Sequence, residues 1–154
     1  MTGHKVVEVG PEDAAMVFGL VAYLLRELGE EGDETGDLQA AALASAWREG
    51  NSRHRAFVAY SAEGTAVGVA TITEAFALYA NGFYGIINEM FVVPEHRGSG
   101  IGAALIEAVK AAGRERGWRR IDVTAPEASR WARTRSFYER EGFIFTGPKL
   151  KFLL

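Results

Sequence analysis

The chain has 154 residues, of which 48% are hydrophobic and 24% charged, a composition typical of a globular domain rather than a disordered protein. It contains no cysteine, which excludes disulfide scaffolds, cysteine nucleophiles and thiolate zinc sites and fits a cytoplasmic location. The net charge of −3 argues against nucleic-acid binding by bulk attraction, and no stretch approaches the roughly 20 apolar residues of a membrane helix.

The N-terminal third predicts one strand followed by two helices. Residues 5–9 (KVVEV) favour a strand. Apolar residues recur at helical spacing from Ala14 to Leu28, and a second helix is expected from Leu38 to Glu49, with Asp37 as its N-cap. The segment between them, Gly29 to Gly36, is acidic and contains glycine, which predicts a loop.

The middle of the chain has the sequence features of strands. Strands are expected over residues 56–60, 66–78 and 83–93, and Pro94 ends the last of them. Asn81-Gly82 predicts a tight hairpin between the second and third, because both residues tolerate a positive φ.

The last third predicts helices around a short strand. The expected elements are a helix over 101–116 ended by Gly117, a strand over 121–124, a helix over 129–141 ended by Gly142, and final strands at 143–145 and 150–154. The order is therefore β-α-α-β-β-β-α-β-α-β. It predicts one α/β (α+β) domain over residues 1–154, with a mixed, mostly antiparallel central sheet and helices on both faces.

A glycine-rich loop, residues 96–100 (HRGSG), separates the long strand from the helix that follows it. Helix N-termini carry unpaired N–H groups and partial positive charge, so such a loop is typical of phosphate binding. A purely structural interpretation is a tight turn that needs glycine. A third is dinucleotide binding, because residues 98–103 fit G-x-G-x-x-A and Asp122 follows. That fingerprint normally belongs to a first, parallel strand, whereas an antiparallel hairpin precedes it here.

Three segments together resemble the GNAT superfamily of N-acetyltransferases. Arg97-x-x-Gly100-x-Gly102 is similar to the family's pyrophosphate signature, and residues 89–94 (EMFVVP) look like the strand that leads into it. Residues 137–143 (FYEREGF) resemble the family's F/L-Y-x-x-x-G-F segment. The expected element order also matches, so the resemblance extends over nearly the whole chain.

The resemblance implies an acetyl-CoA-dependent enzyme that acetylates a primary amine by direct attack. The backbone of Phe91, Val92 and Val93 would pair with the pantetheine arm. The pyrophosphate would be held by Arg97, Gly98, Ser99, Gly100, Ile101, Gly102 and Ala103. Residues 96–140 carry 10 Lys/Arg against 5 Asp/Glu, which fits an anionic cosubstrate, although for most of those arginines a solvated helix surface is the favoured explanation.

Two residues are the expected catalytic groups. By resemblance, Tyr138 is the general acid that protonates the departing thiolate; its structural alternative is an aromatic residue packed on the sheet. Glu89 is the best candidate for the base, since attack needs a neutral amine and a carboxylate near the strand centre can take its proton. Its alternative is an ion-paired strand residue. Glu74 is a weaker candidate, and His96 lies too near the phosphate loop.

The sequence indicates less about the acceptor substrate and the oligomeric state than about the cosubstrate. The acidic segment Glu27 to Asp37 predicts attraction of a cationic small-molecule amine, or simply a solvated loop, and peptide acetylation remains open. The family often dimerises, so a homodimer is implied. Trp131 stands where the family often has the Asn that binds pantetheine, which leaves a non-catalytic CoA-binding module as an alternative. The three histidines are isolated in the sequence and predict no metal site.

Overall fold

The computed structural model describes residues 3–29, 40–50, 53–124, 132–147, 150 and 152–154. Its strands are β1 (Lys5–Val9), β2 (His54–Tyr60), β3 (Ala66–Ala77), β4 (Gly82–Val92) and β5 (Ile121–Val123). Its helices are α1 (Ala14–Leu28), α2 (Ala40–Glu49), α3 (Ile101–Arg116) and α4 (Ala132–Arg140). The expected order is confirmed from β1 through α4. The proposed cap Asp37 lies outside the described residues.

The five strands form one sheet in the order β1-β2-β3-β4-β5. The first four pair antiparallel as a meander, and β5 pairs parallel to β4. The expected mixed, mostly antiparallel sheet is therefore confirmed. Asn81 and Gly82 have the expected positive φ angles of 62° and 123°, but the hairpin loop is longer than the tight turn predicted, because Ala77 pairs with Gly82.

Helices cover both faces of the sheet, as expected. Helices α1 and α2 pack on one face, where Val17, Trp47 and Phe91 belong to one core cluster. Helices α3 and α4 pack on the other, where Leu105 and Tyr138 belong to a second. No helix among the described residues is long and apolar enough to cross a bilayer.

The expected final strands are wrong in the part of them that the structure describes. Residues 143–147 and 152–154 have no strand structure. The N–H of Phe143, which a strand would use for pairing, instead donates to the carbonyl of Tyr138 at 3.0 Å and ends helix α4, with Gly142 at φ 98°. Ile144 and Phe152 beyond it are 85% and 88% exposed.

Candidate functional site

Strand β4 has two halves with different neighbours. In residues 82–87, here called the closed half, Gly85, Ile86 and Ile87 pair with β5 while β3 pairs along the other edge. In residues 88–92, the open half, the described residues supply pairing only on the β3 side, because β5 ends at Val123 opposite Ile87. No strand among the described residues pairs with the second edge of the open half, and an edge of this kind can accept another extended chain.

A bulge marks the junction between the halves. Thr71 pairs with Glu89 and the next residue of β3, Ile72, pairs with Ile87, so Asn88 is an extra residue in β4. The side chain of Asn88 donates to Thr73 Oγ1 at 2.6 Å. Bulges bend a strand and re-aim its side chains, and they are frequent next to active sites.

A turn that leaves backbone N–H groups exposed follows the open half, after one 3-10 turn at Pro94–His96. Gly98 and Gly100 have φ angles of 79° and 88°, a conformation that favours glycine. A Cβ on Gly98 would meet nothing within 4 Å, so this side of the turn is open. Helix α3 starts at Ile101, and Gly100 has no side chain with which to cap it. The first-turn N–H groups of α3 are thus offered to an anion.

The side chain of Arg97 points back from this turn. Its Nε donates to the carbonyl of Val92 at 2.8 Å, and its Nη2 donates to Glu27 Oε2 at 2.8 Å. Its guanidinium also lies 5.4 Å from the centroid of the Phe91 ring. The sequence predicted a side chain directed at a phosphate, whereas here all three contacts are within the protein.

Backbone direction separates the three residues expected to pair with pantetheine. Val93 donates its N–H to Val67 on the β3 side at 2.9 Å. Successive residues of an extended chain direct their polar backbone groups to opposite edges. Val92 therefore presents its N–H and carbonyl at the open edge, and its carbonyl is the one that Arg97 binds, while Phe91 and Val93 face β3.

Tyr138 lies on the α3 face of the sheet. It is 8% exposed, and burial raises the pKa of its hydroxyl to about 12. Its ring contacts Phe137 and Phe143 with centroid distances of 5.4 and 5.6 Å. The neighbouring Phe137 ring lies 3.1 Å from where a Cβ on Gly102 would be, so helix α4 sits directly against the start of α3. Tyr138 thus has both expected features, a core aromatic ring and an un-ionised phenol.

Glu89 lies on the opposite face. Its partner Thr71 sits between Ala70 and Ile72, which both belong to the core cluster under α3, so Thr71 points to the α1 side. Thr71 Oγ1 donates to Glu89 Oε2 and accepts the Glu89 N–H, the latter at 3.1 Å. Tyr138 and Glu89 therefore lie on opposite faces of the sheet.

Glu74 serves a structural role instead. Trp118 Nε1 and the Arg116 guanidinium donate to its carboxylate, at 2.7 Å and 3.1 Å. Burial acts to raise its pKa, but these hydrogen bonds outweigh it and the pKa of Glu74 is lowered, which makes a poor base. Arg120 likewise binds Asp122 through two hydrogen bonds, at 2.6 and 3.2 Å, so Asp122 is not presented to a ribose.

An open depression of about 580 Å³ lies elsewhere, beside Val9, Trp47 and His54. These residues lie at one end of β1 and β2. The turn at Gly98 to Gly100, here called the glycine turn, lies at the other end, where Gly100 is near His4. Its charged lining residues Glu8 and Arg55 bind each other at 2.8 Å. The depression is therefore not part of the candidate site.

Sequence reasoning missed Thr71, and it assigned Glu27 only to the acidic acceptor segment. Thr71 supports Glu89, and Glu27 holds Arg97. Both contacts join residues far apart in the chain, and a single sequence carries no signal for such a pair. The register that faces Thr71 to Glu89 also depends on the bulge, which an alternating pattern does not reveal.

The comparisons agree with this geometry. A model of the acetyltransferase (GNAT) domain matches residues 52–145. No curated protein matches the sequence. The fold is similar to that of an aminoglycoside acetyltransferase from an uncultured soil metagenomic sample, with 22% identity, 98% of both chains covered and a TM-score of 0.81.

Two further solved structures share the fold. One is a ribosomal-protein-alanine N-acetyltransferase from Brucella melitensis biovar Abortus 2308, with 19% identity, 98% of this chain and 99% of that chain covered, and a TM-score of 0.76. The other is a predicted acetyltransferase with acetyl-CoA from Clostridium acetobutylicum, with 20% identity, 97% and 96% coverage and a TM-score of 0.73. The family model matches well over half of the chain, so the chain belongs to the GNAT acetyltransferase family and is an acyltransferase.

Proposed function

We propose that the protein transfers an acetyl group from acetyl-CoA to a primary amine of a small molecule. The observation that carries this proposal is the open half of β4, which is followed, after one 3-10 turn at Pro94–His96, by the glycines at the start of α3. One edge of this path offers the Val92 N–H, which pairs with no strand among the described residues, and its end has the N–H groups of the first turn of α3. A pantetheine arm and a diphosphate need these two features in this order.

The residues present fit acetyl-CoA, which supplies the activated acetyl thioester when bound. The N–H groups at the start of α3 would hold the diphosphate, with Gly98 and Gly100 keeping the approach free of side chains. Val92 N–H faces the open edge and would donate along the thioester arm. A backbone donor fixed in a sheet needs no reorganisation to stabilise negative charge as it develops on a carbonyl oxygen.

Tyr138 would act on the leaving group. Because its pKa is raised to about 12, the phenol remains protonated throughout the neutral range. Its neighbour Phe137 packs against the start of α3. The Tyr138 hydroxyl would donate its proton to the sulfur as the carbon–sulfur bond breaks.

Glu89 would act on the nucleophile. Its carboxylate would accept the proton that an alkylammonium must lose before its nitrogen attacks the thioester carbon, either directly or through a water molecule. Thr71 fixes the carboxylate orientation through a hydrogen bond to one oxygen. Attack would be direct, since the chain has no cysteine to carry an acyl group.

The acceptor class rests on charge. Residues 1–80 carry 5 Lys/Arg against 12 Asp/Glu, which favours a cationic amine. The aminoglycoside acetyltransferases among the similar structures are in accord with a small polyamine. The ribosomal-protein-alanine N-acetyltransferase supports a second candidate, the amino terminus of a peptide. Most of the acidic segment, residues 30–39, lies outside the described residues.

A homodimer is the assembly that we infer. The β3–β4 hairpin carries an exposed apolar group, with Phe76 62%, Leu78 86% and Phe83 56% exposed. Exposed apolar clusters of this kind mark interaction surfaces. Sedimentation velocity of the wild type and of Leu78→Ser would test this, with a shift to monomer expected for the variant.

The test of function is an amine panel with acetyl-CoA, read by thiol release. We expect turnover on polyamines or aminoglycosides, and a fall in kcat of about 100-fold in Tyr138→Phe under conditions where chemistry limits the rate. Tyr60→Phe is the matched control, because that hydroxyl contacts Met16 Sδ at 3.4 Å and lies away from α4. Turnover confined to peptide amines would favour the second candidate, and full activity in Tyr138→Phe would exclude its role as acid.

A further inference from the structure

Arg97 occupies the corner where strand β4 becomes the glycine turn, and three contacts fix its side chain. The guanidinium binds the Val92 carbonyl and the Glu27 carboxylate, both at 2.8 Å, and faces the Phe91 ring. Phe91 is 4% exposed, so its ring provides a rigid wall. An arginine that uses one edge for a backbone carbonyl and another for a carboxylate is anchored rather than mobile.

Glu27 brings helix α1 into this arrangement. It lies in the last turn of α1, and 70 residues separate it from Arg97 in the chain. The same helix contacts β4 through Tyr23, whose ring stacks on Phe91 with centroids 6.1 Å apart. The glycine turn is thus connected to α1 through two routes, one ionic and one aromatic.

The hydrogen bond from Arg97 to the Val92 carbonyl indicates what would change if the guanidinium moved. Val92 is the last residue of β4 and presents its carbonyl at the open edge, and Arg97 follows it by five residues. If the guanidinium were released, this carbonyl would lose its donor and the five residues from Val93 to Arg97 would lose a cross-link over their own turn. Glu27 keeps the guanidinium in place because it neutralises the charge and fixes its second edge.

We propose that Glu27 is a positioning residue for the cosubstrate. It holds Arg97 against Val92 and Phe91, and the fixed Arg97 keeps the turn of Gly98 to Gly102 in the conformation that presents its N–H groups to a diphosphate. In this arrangement the Arg97 side chain shapes the site and the backbone binds the anion. The inference rests on the proposed use of acetyl-CoA.

Glu27 could instead sequester Arg97 from the diphosphate. The direction in which the Kd for coenzyme A changes when Glu27 is removed distinguishes this role from positioning. If Glu27 merely sequestered Arg97 from the diphosphate, its removal would free a cation and tighten binding. If it positions Arg97, its removal weakens binding. The ion pair is partly exposed, with side chains 40% and 33% accessible, so its loss has little effect on folding stability. Binding and stability are therefore separable.

The experiment is calorimetric titration of the full chain with coenzyme A, together with thermal unfolding. For Glu27→Gln we expect the Kd to rise about tenfold, with Tm within about 3 °C of the wild type. The KM for acetyl-CoA should rise in parallel while kcat at saturation stays within about twofold. Glu8→Gln is the control, since it breaks the comparable Arg55 ion pair on β1 and β2 and should leave the Kd unchanged.

A double-mutant cycle completes the test. In an Arg97→Gln background, Glu27→Gln should have no further effect on the Kd, because its effect passes through Arg97. An unchanged or lower Kd in the single variant Glu27→Gln overturns the inference, as does full additivity in the cycle. A wild-type protein that binds no coenzyme A would instead defeat the proposed function, and the inference with it.

Discussion

The closed and open halves of strand β4 have the same backbone chemistry and opposite surroundings. In the closed half, Gly85 donates to the Arg120 carbonyl at 3.1 Å, and a Cβ on Gly85 would overlap the Trp118 ring. In the open half, Val92 presents backbone groups to an edge where the described residues supply only the Arg97 side chain. The comparison teaches that a sheet provides stability where it is paired on both edges and a binding surface where pairing stops.

The largest expected difference is between two substitutions, one at Glu89 in the open half of β4 and one at Glu74, which pairs with Gly85 of the closed half. Glu89→Gln should lower kcat/KM by about 100-fold near neutral pH, since the amine loses its proton acceptor. Glu74→Gln should change kcat/KM by less than about twofold, because Glu74 binds Arg116 and Trp118 on the other face. The measurement is steady-state kinetics over a pH series. Equal losses in both variants would remove the distinction between the halves.

Substitution in the closed half should affect stability and spare chemistry. Gly85→Ala places a methyl group into the Trp118 ring, which has to move and weaken its hydrogen bond to Glu74. We expect a loss of about 2–3 kcal/mol in the free energy of unfolding by urea denaturation. Activity per folded molecule at low temperature should be retained. A fully stable Gly85→Ala protein would show that the packing there is looser than described.

The burial of Tyr138 should appear as a pH dependence of stability. Its pKa is raised from the ordinary value near 10 to about 12, so the native state keeps its proton at pH values where the unfolded state releases it. The contribution is complete below pH 10 and is lost as pH rises through the folded value. The Tyr138→Phe variant has no ionisable hydroxyl at this position, so it does not lose this stability as the pH rises. Between pH 9 and 11 the wild type should lose about 1.4 kcal/mol relative to the variant.

Urea denaturation of both proteins at each pH provides that difference directly. The other tyrosines cancel in it, because both proteins contain them. A constant difference across the range would indicate that the Tyr138 hydroxyl is as well solvated in the native state as in the unfolded one.

The smallest expected effect separates turn geometry from cosubstrate binding. Gly100 and Gly64 have similar φ angles of 88° and 84°, and alanine at either position is strained by about 1 kcal/mol. Both variants should therefore lose similar stability. Only Gly100→Ala should also weaken coenzyme A, by about fivefold, because only that turn leads into helix α3. A weaker Kd in Gly64→Ala would point to a global effect of strain.

Local features of the fold were predictable from the sequence. Helix α3 occupies the expected 101–116, Gly117 ends it with φ 77°, and the hairpin begins its return at Gly82. These depend on periodicity and on glycine conformation, which neighbouring residues determine. The predicted strand at 143–145 is wrong because the N–H of Phe143 donates at the end of helix α4 instead of pairing in a sheet. An alternating sequence pattern does not show which of these two acceptors the N–H takes.

The sequence motifs name the candidate site residues, but they do not predict the contacts that those residues make in the fold. The motif that contains Arg97 identified the turn, but its side chain direction depends on Glu27, which folding brings from another element. The bulge that brings Glu89 opposite Thr71 shifts the register by one residue, and its position depends on how β3 and β4 pair, which the sequence of either strand alone does not give. Trp131, the departure from the family pattern, lies outside the described residues.

Gly102 links two distant segments of the chain through packing. It lies in the first turn of helix α3, and its missing side chain allows the Phe137 ring to approach, at 3.1 Å from the place of a Cβ. Any larger residue at position 102 would displace Phe137 and, through it, the adjacent tyrosine. A library that varies position 102 therefore has to vary position 137 together with it, in paired rather than separate substitutions.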